Sequence, residues 1–164
     1  MSDALRAAAN AVLEACRARG LKIATAESCT GGLVAGALTD IAGSSDVVDR
    51  GFVTYSNEAK QQMLGVPAET ITKFGAVSRE TAEAMARGAL GRGGADIVVA
   101  ITGIAGPGGG SKDKPVGLVH FAAAARSGAL THKDMRYGDI GRAQVRGKSV
   151  LEALHMLKQM AETV

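Results

Sequence analysis

The run Asp-Ile-Val-Val-Ala-Ile-Thr at positions 96–102 constrains the fold more than any other part of the chain. It is too short for a stable helix and rich in β-branched residues. It also lacks the alternation of a strand with one wet face, so it reads as a strand covered on both sides. Burying both faces of a strand requires helices above and below the sheet, and the remaining sequence should therefore alternate helical and extended segments.

It does. From Asp3, taken as an N-cap, Leu5, Ala8, Ala9, Val12, Leu13 and Cys16 recur at helical spacing as far as Gly20. A short strand, Leu21 to Ala26, runs into the polar stretch Glu27 to Gly32, after which Leu33, Val34, Ala37, Leu38 and Ile41 resume the helical period up to Gly43. Phe52 to Ser56 reads as a strand. Asn57 reads as the cap of a short helix carrying Lys60, Met63 and Leu64, stopped by Gly65-Val66-Pro67. Ser78 opens a helix that the stretch Gly91 to Gly94 closes. Val116 to Ala124 and Ala129 to Tyr137, joined through Arg126-Ser127-Gly128, form a hairpin. A long last helix turns Val145, Val150, Leu151, Leu154, Leu157 and Ala161 inward. No repeat is visible. This order predicts an α/β protein, a three-layer α/β/α sandwich with a mixed β-sheet, in one domain over residues 1–164.

Aromatic residues make up only 3% of the 164 residues, against 46% hydrophobic overall, so the core must be aliphatic. The net charge of +3 is dispersed, and the basic residues are not interleaved with base-stacking aromatics, which argues against nucleic acid as a partner. Two cysteines, Cys16 and Cys29, make neither a disulfide framework nor a metal pair, as expected in the reducing cytoplasm. No signal-peptide pattern opens the chain and no apolar run is long enough to span a bilayer, so no membrane association is expected.

Two segments have the character of working loops, because ligands of open α/β sheets gather where strands end and helices begin. Glu27 to Gly32 places Ser28, Cys29 and Thr30 before a glycine pair, either as helix caps or as nucleophiles approached across the glycines. Thr102 to Gly117 is rich in glycine, either an ordinary loop or a cradle of backbone N–H groups for an anion such as phosphate. Neither fits a P-loop, a GxGxxG fingerprint or a GxSxG elbow. His120, His132 and His155 show no metal-ligand spacing, so they read as structural and no metal is expected. Without a histidine near either loop, a lysine is the economical base for Ser28. Lys60, which taken alone reads as a surface lysine, would then have to give up a proton that an unperturbed lysine holds to about pH 10.4, which burial favours. The N–H groups from Cys29 to Gly32 would hold the oxyanion.

Local pattern leaves the function open, but four segments in register narrow it: Ala26-Glu27-Ser28-Cys29-Thr30-Gly31-Gly32; Gly51 through Tyr55-Ser56-Asn57 to Lys60; Gly75-Ala76-Val77-Ser78; and Thr102-Gly103-Ile104-Ala105-Gly106-Pro107 followed by Lys114-Pro115-Val116-Gly117. Their order and wording resemble the CinA C-terminal domain family, the nicotinamide mononucleotide (NMN) amidohydrolases, over nearly the whole chain and in the stand-alone form. The resemblance implies hydrolysis of NMN to nicotinate mononucleotide and ammonia in pyridine-nucleotide salvage, with no metal or other cofactor. It implies Ser28 as nucleophile, Lys60 as base, and Tyr55 and Thr102 assisting at the reacting centre. Thr30, Gly31, Gly32, Gly103, Gly106 and Arg142 would bind substrate. The family pattern sets its arginine directly after Gly-Asp, whereas Ile140-Gly141 separates Gly138-Asp139 from Arg142 here, so Arg136 and Arg146 are alternates. A homo-oligomer, dimer or larger, is also implied. Three rivals remain: Cys29 as nucleophile, a non-catalytic nucleotide-binding or regulatory module using the same loops, and a protein-interaction domain.

Overall fold

The computed structural model describes residues 1–164. The five strands are β1 (Ile23–Glu27), β2 (Val48–Val53), β3 (Ile97–Gly103), β4 (Leu118–Ala125) and β5 (Leu130–Arg136). They form one mixed sheet in the order β2-β1-β3-β4-β5. β1 is parallel to both β2 and β3, while β3/β4 and β4/β5 are antiparallel. The apolar run at 96–102 is the middle strand of five.

Six helices cover the sheet: α1 (Asp3–Ala18), α2 (Leu33–Thr39), α3 (Asn57–Leu64), α4 (Ala68–Phe74), α5 (Arg79–Leu90) and α6 (Arg142–Thr163). α1, α2 and α6 pack on one face and α5, backed by α3 and α4, on the other, which makes the three-layer α/β/α sandwich. Side-chain alternation along β3 divides the core. Ile97, Val99 and Ile101 join Val12, Leu13, Phe121, Leu154 and Leu157 in the larger cluster, and Val98 and Ala100 join Ala24, Ala26, Ala122, Met85 and Ala86 in the smaller. The α5 face is built largely from alanines, which lets the helix approach the sheet closely. At Gly88 a Cβ would overlap the Leu64 carbonyl, so α5 also lies hard against α3.

Several boundaries differ from expectation for identifiable reasons. The cap of α1 is Ser2, whose hydroxyl accepts from the Leu5 amide, rather than Asp3. The cap of α3 is Ser56, accepting from the Ala59 amide, rather than Asn57. β2 lies four residues ahead of its expected start at Phe52, since an edge strand open to solvent carries Asp49, Arg50 and Gly51 and shows no apolar signal. α4 was not expected after Pro67, because it is only seven residues long and buries none of them. Leu151 on α6 is half-buried, while Ala153, Met156 and Met160 complete its inward face.

The parallel strands β1, β2 and β3 end at the same edge of the sheet. α2, leaving β1, goes to one face and the helices following β2 go to the other, so a crevice opens beyond the end of β1. That is the topological switch point at which open α/β sheets take ligands. No helix is long and apolar enough to cross a membrane.

Candidate active site

Ser28 is the first residue beyond β1. Its amide donates to the Ile101 carbonyl at 3.0 Å, extending the β1/β3 ladder, and the neighbouring Thr54 amide donates to the Glu27 carbonyl at 2.8 Å, extending β1/β2. The serine is thus held on both sides by sheet geometry. Lys60 stands in the second turn of α3, is only 1% exposed, and reaches back along the helix to place Nζ 3.0 Å from Ser28 Oγ. The same nitrogen lies 3.0 Å from the Thr54 carbonyl and 3.2 Å from the Tyr55 carbonyl.

No carboxylate pairs with Lys60; the ion pairs of the protein all lie elsewhere. Burial pushes its pKa below the ordinary lysine value, because the charged form loses more hydration than the carbonyls return. A negative charge on Cys29 would oppose this, but burial raises that thiol to about 11, so it stays neutral near pH 7.

The loop after Ser28 is shaped by Glu27, which is fully buried. Oε1 accepts from the Thr30 hydroxyl at 2.7 Å and from the Gly32 and Val34 amides at 3.2 and 2.9 Å. Oε2 accepts from the Ala35 amide at 3.1 Å and the Thr25 hydroxyl at 3.3 Å. One carboxylate therefore satisfies the orphan donors at the start of α2. Gly32 caps that helix at φ 100°, a conformation that favours glycine. From the other side Arg146 donates to the Cys29 carbonyl at 3.0 Å and the Thr30 carbonyl at 3.5 Å.

Of the four amides expected to hold an oxyanion, two are already engaged: Gly31 N–H on the Ser28 carbonyl and Gly32 N–H on Glu27. The Cys29 and Thr30 amides make no hydrogen bond within the protein. Thr30, Gly31 and Gly32, expected to bind substrate, do not line the cleft.

The cleft itself is walled by Ser28, Cys29, Lys60, Thr102, Arg142 and the loop from Gly103 to Gly109, and holds about 250 Å³. That is at the small end of ligand sites, enough for one end of a nucleotide with the rest reaching the open rim. Its floor is buried, with Ser28 8%, Lys60 1% and Thr102 1% exposed. The Thr102 hydroxyl donates to the Ala76 carbonyl at 2.7 Å, tying β3 to the Gly75-Ala76-Val77-Ser78 segment that forms the facing wall. Tyr55, 61% exposed, stands at the rim, and its hydroxyl accepts from Arg142 at 3.0 Å. Arg142 also donates to the Gly106 carbonyl at 2.8 Å.

Gly106 has φ +85°, and a Cβ there would meet Val116, so the loop requires glycine at that point. The amides of Ala105, Gly106, Gly108, Gly109 and Gly110 have no partner within the protein.

Of Arg136, Arg142 and Arg146, Arg142 lines the cleft, Arg146 buttresses the Ser28–Gly32 loop from behind, and Arg136 is an exposed residue ending β5. His120 and His132 stack across the β4/β5 hairpin, Nδ1 to Nε2 at 2.9 Å, away from the cleft. Sequence reading missed the part played by Glu27, although a lone acid ending an apolar strand before Ser-Cys-Thr-Gly-Gly is a visible signal. It also gave Asn57 to capping, whereas Asn57 lines the cleft.

The family model of the CinA C-terminal domain matches residues 5–161. The nicotinamide-nucleotide amidohydrolase PncC of Escherichia coli (strain K12) is 54% identical over 147 residues, 89% of this chain and 88% of its own. A CinA-like protein of Synechococcus sp. (strain RCC307) is 52% identical over 151 residues, 92% of this chain; this chain spans only 36% of that longer relative. The crystal structure of the competence/damage inducible protein CihA from Agrobacterium tumefaciens superposes with a TM-score of 0.96 at 59% identity, covering 98% of this chain and 97% of that one.

Proposed function

The chain belongs to the CinA C-terminal domain family, and from that premise we propose that it hydrolyses the carboxamide of NMN to nicotinate mononucleotide and ammonia, in pyridine-nucleotide salvage. The relative from Escherichia coli named as a nicotinamide-nucleotide amidohydrolase matches nearly end to end, which supports the substrate class.

The observation that carries the mechanism is the surroundings of Lys60 Nζ. A neutral amine has two N–H donors and one lone pair. The Thr54 and Tyr55 carbonyls take the donors, and the lone pair is left for the Ser28 hydroxyl. Lys60 accepts the Ser28 proton as Oγ attacks the carboxamide carbon. The Cys29 amide stabilises the negative oxygen of the tetrahedral intermediate, a contribution of about 3–4 kcal/mol per donor in comparable sites. The C–N bond breaks as Lys60 returns the proton to the departing nitrogen, releasing ammonia and leaving an acyl ester on Ser28. Water, deprotonated by Lys60, cleaves that ester and regenerates the serine.

Arg142 and the unpartnered amides from Gly106 to Gly109 serve the phosphate, so that binding energy far from the reacting carbon goes into orienting it. Thr102 and Tyr55 act through position, one fixing the cleft wall and the other lending its carbonyl to Lys60.

Ammonia release is measured with NMN, nicotinamide riboside and nicotinamide, on the protein and on Ser28→Ala. Turnover of NMN far exceeding that of the two compounds without phosphate, and its abolition in a folded Ser28→Ala, are expected. Binding of NMN without ammonia would instead make the protein a nucleotide-binding module.

A further inference from the structure

Of the side chains bearing oxygen or nitrogen that line the cleft, Ser28, Lys60, Tyr55, Thr102 and Arg142 each make a side-chain hydrogen bond within the protein. Asn57 makes none; only its backbone carbonyl is engaged, by Gln61. It is also free of the capping duty its sequence position suggests, because Ser56 performs it. Its carboxamide thus presents an acceptor and two donors to the cleft.

Asn57 opens α3, three residues before Lys60, on the same face and about 4.5 Å further along the helix axis. Lys60 belongs to the buried floor, whereas Asn57 is exposed at the rim. A ligand whose amide meets Ser28 at the buried floor must leave the cleft by its rim, where Asn57 stands, so the portion next to the reacting end is what Asn57 can reach. In a mononucleotide that portion is the sugar, with neighbouring hydroxyls that both donate and accept, as a carboxamide does.

We infer that Asn57 is a specificity-determining residue that reads the ribose hydroxyls of the substrate. The inference rests on the nucleotide reading of this cleft. It does not need turnover, and its test is made on binding. Calorimetry is done on Ser28→Ala and on Ser28→Ala/Asn57→Ala with NMN and its 2′-deoxy and 3′-deoxy counterparts, while ammonia release by the unaltered protein is measured alongside.

The expected result is that Ser28→Ala binds NMN about tenfold more tightly than at least one deoxy analogue, the worth of one hydrogen bond. The double variant should weaken NMN binding by a similar factor and bring the ligands within about twofold of one another. Equal affinity for the three ligands in Ser28→Ala overturns the inference, as does discrimination that survives in the double variant. If sugar discrimination is present and depends on Asn57 but no ammonia forms, the hydrolase reading fails and the role of Asn57 stands. If ammonia forms without such discrimination, the reverse holds.

Discussion

Replacing Glu27 with glutamine should weaken both the fold and the reaction, by amounts that its contacts fix. The side chain keeps its volume, and an amide oxygen at the Oε1 position can still accept from Thr30 Oγ1 and the Gly32 and Val34 amides. The new NH2 then faces the Ala35 amide, so a donor meets a donor where a 3.1 Å bond stood. Thr25 can rotate its hydroxyl to accept, which makes the Ala35 contact the principal loss. Losing one bond to a charged acceptor costs about 1.5–3 kcal/mol, and the α2 N-terminus forfeits the charge that complements its dipole, about another 0.5 kcal/mol. A loss of roughly 2–3.5 kcal/mol follows. Glu27→Ala would orphan the buried Val34 amide and the Thr30 hydroxyl as well, a cost large against the ~5–15 kcal/mol of a typical domain, so glutamine is the informative variant. Urea denaturation followed by circular dichroism reads the stability. Because the same carboxylate shapes the loop that presents the Cys29 amide, kcat should fall by about 10² with little change in KM. A stability change under about 0.5 kcal/mol, the range of an ordinary surface substitution, would refute the claim that Glu27 organises this loop.

Cys29→Ala should retain most of the ammonia-releasing activity, and the thiol should react slowly with iodoacetamide at neutral pH, since burial raises it to about 11; loss of activity matching that of Ser28→Ala would move the nucleophile to Cys29. Because burial lowers the folded-state pKa of Lys60, the unfolded chain binds the extra proton between that value and the ordinary lysine value near 10.4, and stability rises with pH across that window. Lys60→Met should remove up to about 1.4 kcal/mol per pH unit from that slope, read from urea midpoints between about pH 6 and 10; an unchanged slope would show that Lys60 keeps its charge when folded.

The middle of this molecule was legible because its constraints are local in sequence. A strand buried on both faces has to read as Ile97 to Ile101 does, and a loop packed tightly against Val116 and Val119 has to carry glycines such as Gly103 and Gly106. The edges were not. β2 is specified by pairing with β1 and carries solvent-facing Asp49 and Arg50, and α4 is a short exposed helix that buries no residue. The site divides similarly. Ser28 and Lys60 are 32 positions apart, and no periodicity connects them; the lack of a histidine near either loop suggested a lysine base, and wording shared with a family singled out this pair. Glu27 escaped notice because its partners, from Thr25 to Ala35, are mostly backbone amides, which sequence does not display. The distinction between Ser56 and Asn57 as the cap of α3 rests on a single hydrogen bond to the Ala59 amide, a choice two adjacent cap-forming residues leave undecided.

For Ser28 to be activated as proposed, the amine beside it must be uncharged. Heteronuclear NMR of protein labelled in its lysine side chains, with the Lys60 signal assigned by its disappearance in Lys60→Met, follows the proton on Nζ directly. One lysine should lose its proton well below the others, in step with the rising limb of kcat/KM against pH. A Lys60 signal that titrates together with the surface lysines, near pH 10.4, would contradict it.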